Sequence, residues 1–235
     1  MALTRLAHIS DIHLSPLPEG LGPLSIKQFL GHLSWKSKRR FRYSPDVLSI
    51  LKQDLYEQKP DHICVTGDQT NLGTQAEFQN TFKWLQDLGP AETISVVPGN
   101  HDAYGKHFKR NVKRYWSPWM LDRNSENVGT PFIRQTGPVL VIGVSSAVPT
   151  APFMADGRVE KEELSQVEEV LADIQDEEVF KVMLIHHPPV RKITSWRRAL
   201  KNIKAVEQCI EKYNIDLVLH GHLHKAMYNT LKFND

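Results

Sequence analysis

Asp216-Leu217-Val218-Leu219-His220-Gly221-His222-Leu223-His224 joins a short apolar run to three closely spaced histidines. The run has the length and composition of a buried strand. The histidines follow at alternate positions, so on an extended chain all three face one side. Imidazole is the commonest metal ligand in proteins. A strand that ends in such a cluster predicts a metal site at the edge of a sheet.

Working outward, the same grammar repeats. Phe180–Ile185 reads as a strand ending at His186-His187-Pro188-Pro189. Thr93–Val97 ends at Pro98-Gly99-Asn100-His101-Asp102, Asp61–Thr66 at Gly67-Asp68, and Leu3–Ser10 at Asp11-Ile12-His13. Val139–Ser145 is a further strand without a motif. Taken singly, Gly-Asp and Pro-Gly-Asn also spell ordinary turns. Together, five polar groups lie at the carboxyl ends of strands, the edge at which open α/β sheets bind ligands. Asp68 has two oxygens and can bridge two cations. Asn100 offers a neutral oxygen. Alternation of faces allows only one of His186 and His187 into the cleft. His101 can give a proton to a leaving oxygen, and Asp102 beside it is expected to orient that imidazole or raise its basicity.

Helical patterns fill the gaps, which argues for an α/β fold. Ser44-Pro45 reads as a cap followed by a first-turn proline, with Val47, Leu48, Leu51 and Leu55 on one face. Thr74-Gln75-Ala76-Glu77 is a capping box, and Gly89-Pro90 stops the helix after it. Glu160–Gln175 carries an amphipathic stripe, and Arg197–Lys212 is another helix candidate. Two stretches break the rhythm. Leu14–Tyr43 is a Pro- and Gly-containing connection, read as a mobile insertion and ending in the basic run Lys36-Ser37-Lys38-Arg39-Arg40-Phe41-Arg42. Tyr115–Thr130 reads as a loop. Such long connections are usually functional or mobile.

Composition narrows the class. The 235 residues suffice for one domain with a substantial core. A net charge of +2 is too small to argue for nucleic acid by itself. Two distant cysteines make no disulfide framework, so a cytoplasmic setting is expected. No signal peptide and no membrane-spanning run is found.

With these residues in view, the chain resembles the calcineurin-like metallophosphoesterase superfamily. That family's order is D-x-H, G-D, G-N-H-[D/E], H and G-H-x-H, and every element is present between Asp11 and His224. The opening and the H-H-P-P motif are most similar to the bacterial cyclic-nucleotide phosphodiesterase branch. The resemblance implies a four-layer αββα sandwich of two mixed β-sheets flanked by helices, with a dinuclear site at the carboxyl strand edge. It implies one cation on Asp11, His13 and His224, and a second on Asn100, His186 and His222. Asp68 would bridge them, while His101 and Asn100 would contact the substrate. The implied reaction is attack on a phosphodiester by a hydroxide bridging two divalent ions. The mixed nitrogen and oxygen ligands suit Mn²⁺, Fe²⁺/Fe³⁺ or Zn²⁺. Relatives usually add strands after G-H-x-H. Here Ala226–Phe233 is read as one strand, and the chain as either truncated or a short member.

The expected partner is a small phosphodiester, with cyclic nucleotides in view. The run 36–42, together with Lys106, Lys109, Arg110, Lys113 and Arg114, could instead track a nucleic-acid backbone. The small net charge favours solvated basic faces over that reading. Leu30, Leu33, Trp35 and Phe41 interleave with the same cations, a composition seen at membrane surfaces, so peripheral membrane contact through 30–42 and a nucleotide-linked lipid substrate form the other alternative.

Overall fold

In the computed structural model, which describes residues 3–122, 129–174 and 178–232, seven strands form two sheets. The strands are β1 (Leu6–Ile9), β2 (His62–Thr66), β3 (Ile94–Val97), β4 (Phe132–Thr136), β5 (Val139–Gly143), β6 (Phe180–Leu184) and β7 (Leu217–Leu219). The first sheet has the order β1-β2-β3 and is wholly parallel. The second has the order β4-β5-β6-β7 and is parallel apart from β4, which pairs antiparallel with β5. Two mixed sheets were expected. Only the second is mixed, because β4 and β5 are the one pair joined by a tight turn, at Gly137-Pro138. The other connections hold helices, and such crossovers give parallel neighbours.

Alternation along the second sheet divides the core. Val139, Val141, Val182 and Leu184 face the first sheet, in a cluster that also takes in Phe78, Leu85 and Trp116. Leu140, Ile142, Met183 and Ile185 face the other way, onto Val167, Leu171, Val206 and Ile210. Each such buried side chain contributes about 2 kcal/mol of apolar burial. Two sheets are thereby packed face to face, with helices outside.

The helices are α1 (Ile26–Ser37), α2 (Pro45–Gln58), α3 (Gln75–Leu88), α4 (Phe108–Trp116), α5 (Lys161–Asp173) and α6 (Ile203–Lys212). The capping signals act where expected. Ser44 caps α2 with Pro45 at its first position, and Thr74 and Glu77 close a capping box on α3. Several expectations change. The connection 14–43 contains α1, started by a second capping box between Ser25 and Gln28. The region 115–130 begins as the end of α4 and a 3-10 turn at Ser117–Met120, while 123–128 lie outside the described residues. The candidate helix 197–212 begins only at Ile203, because 197–202 form turns beside an isolated bridge between Gly157 and Leu200. Residues 226–232 carry no strand, and Phe233 lies outside the described residues. Helix α5 ends at Asp173, and Gln175 likewise lies outside them. No described helix is long and apolar enough to cross a membrane.

Candidate metal centre

All the motif residues lie in loops just past strand ends. Asp11 and His13 follow β1, Asp68 follows β2, Asn100 follows β3, His186 follows β6, and His222 and His224 follow β7. The expected geometry was extended chain with alternate residues sharing a face. Instead Asp11, His13, Asp68, His222 and His224 all have positive φ, from 40° to 74°. Non-glycine residues adopt this region at a cost of about 1–3 kcal/mol each, and such residues cluster at functional sites. The left-handed turns curl the loops back over the sheet edge, bringing Asp11 and His13 into one group and sending His222 and His224 to different ones.

Close approach of these loops requires glycine. A Cβ on Gly221 would collide with Ser10 Oγ and crowd Asp11 Oδ2, and one on Gly99 would collide with the Asp68 carboxylate. The first and last motifs are then stapled together, since the His222 amide donates to both Asp11 oxygens, at 2.9 and 3.1 Å.

Two groups of candidate ligands result. Asp11, His13, Asp68 and His224 offer atoms within 4.8 Å of one another, as do His186, His187 and His222. Asp68 joins the two groups. Its Oδ2 is 3.4 Å from His186 Nε2 and 3.8 Å from His13 Nε2. Asn100 Oδ1 is 3.2 Å from His186 Nε2. His224 Nε2 is 3.4 Å from Asp11 Oδ1.

Three imidazoles are oriented alike. One nitrogen of each lies against a backbone carbonyl: His13 Nδ1 on Thr70 O at 3.0 Å, His186 Nδ1 on Thr66 O at 2.7 Å, and His222 Nε2 on Arg198 O at 2.9 Å. The carbonyl fixes the proton on that nitrogen and turns the other toward a proton or a cation, as in metal-binding histidines. His13 Nε2 is buried and has no hydrogen-bond partner. A buried acceptor without a partner is costly, and a cation supplies what it lacks. The donor set therefore fits divalent metal.

Electrostatics support the same grouping. Burial holds the His13 and His222 imidazoles down, to about 4 and about 3. Burial also opposes a proton on His186, but the Asp68 carboxylate outweighs it and lifts this imidazole to about 9. Asp68 is held well below the carboxylate range in spite of its burial, because His186, His101 and His13 surround it. A site that draws a proton in this way draws a cation for the same reason.

Two predicted residues sit differently from expectation. Asp102 does not touch the His101 ring. Its carboxylate accepts from the amides of Asp68, Thr70 and Gly99 and from Thr70 Oγ1, all at 2.8–2.9 Å. It ties the G-D loop to the G-N-H-D loop. The ring of His101 is held by Asn71 O, 2.7 Å from Nδ1, and its amide donates to Asp68 Oδ1. His220 joins neither group, and its Nδ1 is buried without a hydrogen-bond partner. His187 lies within the second group, but both its nitrogens are engaged, by Ser146 Oγ at 2.8 Å and Ala155 O at 3.3 Å.

Sequence reasoning missed a roof over the site. Arg39 places Nη1 3.2 and 3.3 Å from the two nitrogens of His101, and Nη2 on Gly31 O. Tyr43 packs on the His13 ring at 4.7 Å and brings its hydroxyl to 3.4 Å from His224 Nδ1. Tyr104 stacks on His101 at 4.6 Å. The Ser25-x-x-Gln28 capping box was the legible signal, because it sets the phase of α1 and hence of the turn that carries Arg39.

Comparisons with known proteins bear on the family and the fold. The family model for calcineurin-like phosphoesterase matches residues 4–226. A protein of Arcobacter nitrofigilis named probable glycerophosphodiester phosphodiesterase GpdQ is 30% identical over 75% of this chain and 61% of its own length. A probable cyclic nucleotide phosphodiesterase of Synechococcus sp. is 25% identical over 74% of this chain and 61% of its own. The chain thus spans about three fifths of these relatives. A crystal structure of another protein superimposes with a TM-score of 0.51 at 20% identity, over 77% of this chain and 80% of that one, and so shares the fold. The chain belongs to the calcineurin-like phosphoesterase family.

Proposed function

We propose that the chain is a metal-dependent phosphodiesterase acting on small phosphodiesters. The observation that carries this is the set of three backbone-oriented imidazoles, of which His13 and His186 turn their second nitrogen toward the Asp68 carboxylate while His222 groups with His186. Asp11, His13 and His224 would hold one cation, Asn100, His186 and His222 the other, with Asp68 shared. Divalent cations held there supply Lewis acidity and an acidified water nucleophile. The mixed nitrogen and oxygen donors favour Mn²⁺, Fe or Zn²⁺ over Mg²⁺ or Ca²⁺.

The remaining roles belong to the chain. The Arg39 guanidinium makes no salt bridge to a carboxylate among the described residues, and it sits beside His101 at the mouth of the site. It would grip a non-bridging phosphate oxygen by a charge-assisted hydrogen bond. Burial holds His101 well below the usual histidine range, so its ring stays neutral with the proton on Nδ1. An anionic phosphate beside it reverses the local charge and favours a second proton, on Nε2. From there the proton passes to the departing alkoxide. Asp102 positions the two ligand loops and takes no part in proton transfer.

The names of the relatives point to glycerophosphodiesters and cyclic nucleotides as the first substrates to try. A Mn²⁺-supplemented panel of an aryl phosphodiester, an aryl monoester, cyclic AMP, a glycerophosphodiester and single-stranded DNA tests the proposal. Diester cleavage well above monoester cleavage is expected. Absence of diesterase activity with Mn²⁺, Fe²⁺ and Zn²⁺ alike would contradict it.

A further inference from the structure

Helix α1 is turned inside out. Its buried residues are Lys27, Gln28 and Gly31. Its exposed residues include Ile26 at 77%, Phe29 at 53% and Leu33 at 49%, spaced to lie along one ridge. The inward polar side is firmly tied to the site loops. Lys27 Nζ reaches Thr150 Oγ1 at 2.5 Å and Met154 O at 3.2 Å, and lies 4.4 Å from the Tyr104 ring. Gln28 Nε2 donates to Leu72 O at 3.0 Å. Gly31 lets the helix come so close that a Cβ there would sit 2.9 Å from Leu72 Cδ2. The apolar ridge therefore cannot roll inward without breaking these contacts. On the turn that follows, Phe41 is 74% exposed, with Arg40 against its ring at 4.5 Å.

Charge says what covers this face. Between Glu19 and Asp46 the chain has no carboxylate and six cations, namely Lys27, Lys36, Lys38, Arg39, Arg40 and Arg42. Lys36, Lys38, Arg40 and Arg42 are exposed. Like charge opposes pairing of two such faces from two copies. An apolar ridge flanked by cations, with an aromatic beside it, has the composition of a helix that lies in the headgroup layer of an anionic membrane.

We propose that Ile26, Phe29, Leu33 and Phe41, with Lys36, Lys38, Arg40 and Arg42, dock the protein on an anionic lipid bilayer. The same segment delivers Arg39 to His101 and Tyr43 to His13, so docking sets the mouth of the candidate centre at the membrane surface. The inference goes beyond the phosphodiesterase reading, and vesicle binding can be measured whatever the substrate proves to be.

Co-sedimentation of the full chain with phosphatidylcholine vesicles, with and without phosphatidylglycerol, tests this. Binding is expected only to the anionic vesicles and should weaken in high salt. Phe29→Ser with Leu33→Ser should lower the partition at least about tenfold. Lys38→Gln, Arg40→Gln and Arg42→Gln together should lower it roughly a hundredfold. Both variants should keep a native circular dichroism spectrum and full hydrolysis of a soluble diester. No binding by the parent chain, equal binding to neutral vesicles, or binding that survives both variants would overturn the proposal. So would a dimer in the ultracentrifuge that either variant dissolves, because the face would then be a contact between copies.

Discussion

The two halves of the candidate centre differ in what stands between them and solvent. On one side His186 and His222 are buried, with Asn100 beside them, and His187 behind them is pinned at both nitrogens. On the other side the group reaches the surface at His224, whose side chain is 40% exposed and which meets Tyr43 across a long 3.4 Å contact. Both halves hang on sheet-end loops, and among their candidate ligands only His224 is exposed. The outer half is closed by residues from the 39–43 turn. Ligands fixed by the fold lose little freedom on binding an ion, whereas exposed ones must be ordered by it. Unequal halves are therefore expected, with a tight inner cation and a weaker, exchangeable outer one.

The harshest way to break this comparison is to remove what the halves share. Asp68→Ala should cost both cations and lower diester hydrolysis about a thousandfold or more. Elemental analysis beside an activity assay checks this, and unchanged metal content would refute the bridging role. His101 belongs to neither half. His101→Ala should keep both cations and reduce turnover roughly a hundredfold to ten-thousandfold. Loss of metal in that variant would make His101 a ligand instead.

Arg39 sharpens the outer side alone. Arg39→Ala should lower kcat/KM about tenfold to a hundredfold with metal content intact, and Arg39→Lys should restore part of it. If Arg39→Ala has parental kinetics, the guanidinium does not meet phosphate. The smallest effect concerns stability away from the centre. His62 is buried against Ser95, and burial holds its imidazole down to about 4, below the ordinary 6.5. A base with a depressed folded value contributes stability that is complete above about 6.5 and lost as pH falls through about 4. His62→Gln should flatten that part of the acid limb by about 2–3 kcal/mol in pH-dependent urea melts. An unaltered slope would assign the acid sensitivity to other buried histidines.

The sheet-edge motifs were legible in the sequence and the roof was not, for a physical reason. Metal chemistry admits few residue types, so Asp68, Asn100, His186 and His222 announce themselves in short motifs at strand ends. Strands β2, β3, β5 and β6 were legible because burial on both faces leaves continuous apolar runs. The β4 strand was missed because Arg134 interrupts it. That arginine is buried by bonding to the carbonyls of Pro118, Leu121 and Ile94, which no local pattern records. Asp102 was assigned to His101 because they are neighbours in sequence, yet its partners are Gly99 and, on the Asp68 loop, Asp68 and Thr70. Arg39 looked like one more member of a basic run. Only the phase of α1 separates it from Lys38 and Arg40. The partners that orient the candidate imidazoles are backbone carbonyls, and these carry no sequence signature at all.

Calorimetric titration of metal-stripped protein with Mn²⁺, run in parallel on the parent chain and on Asp68→Ala, tests the central claim most directly. Two equivalents are expected in the parent chain, the first tighter than the second, and neither in the variant. A single equivalent in the parent chain, or two that persist in Asp68→Ala, would contradict it.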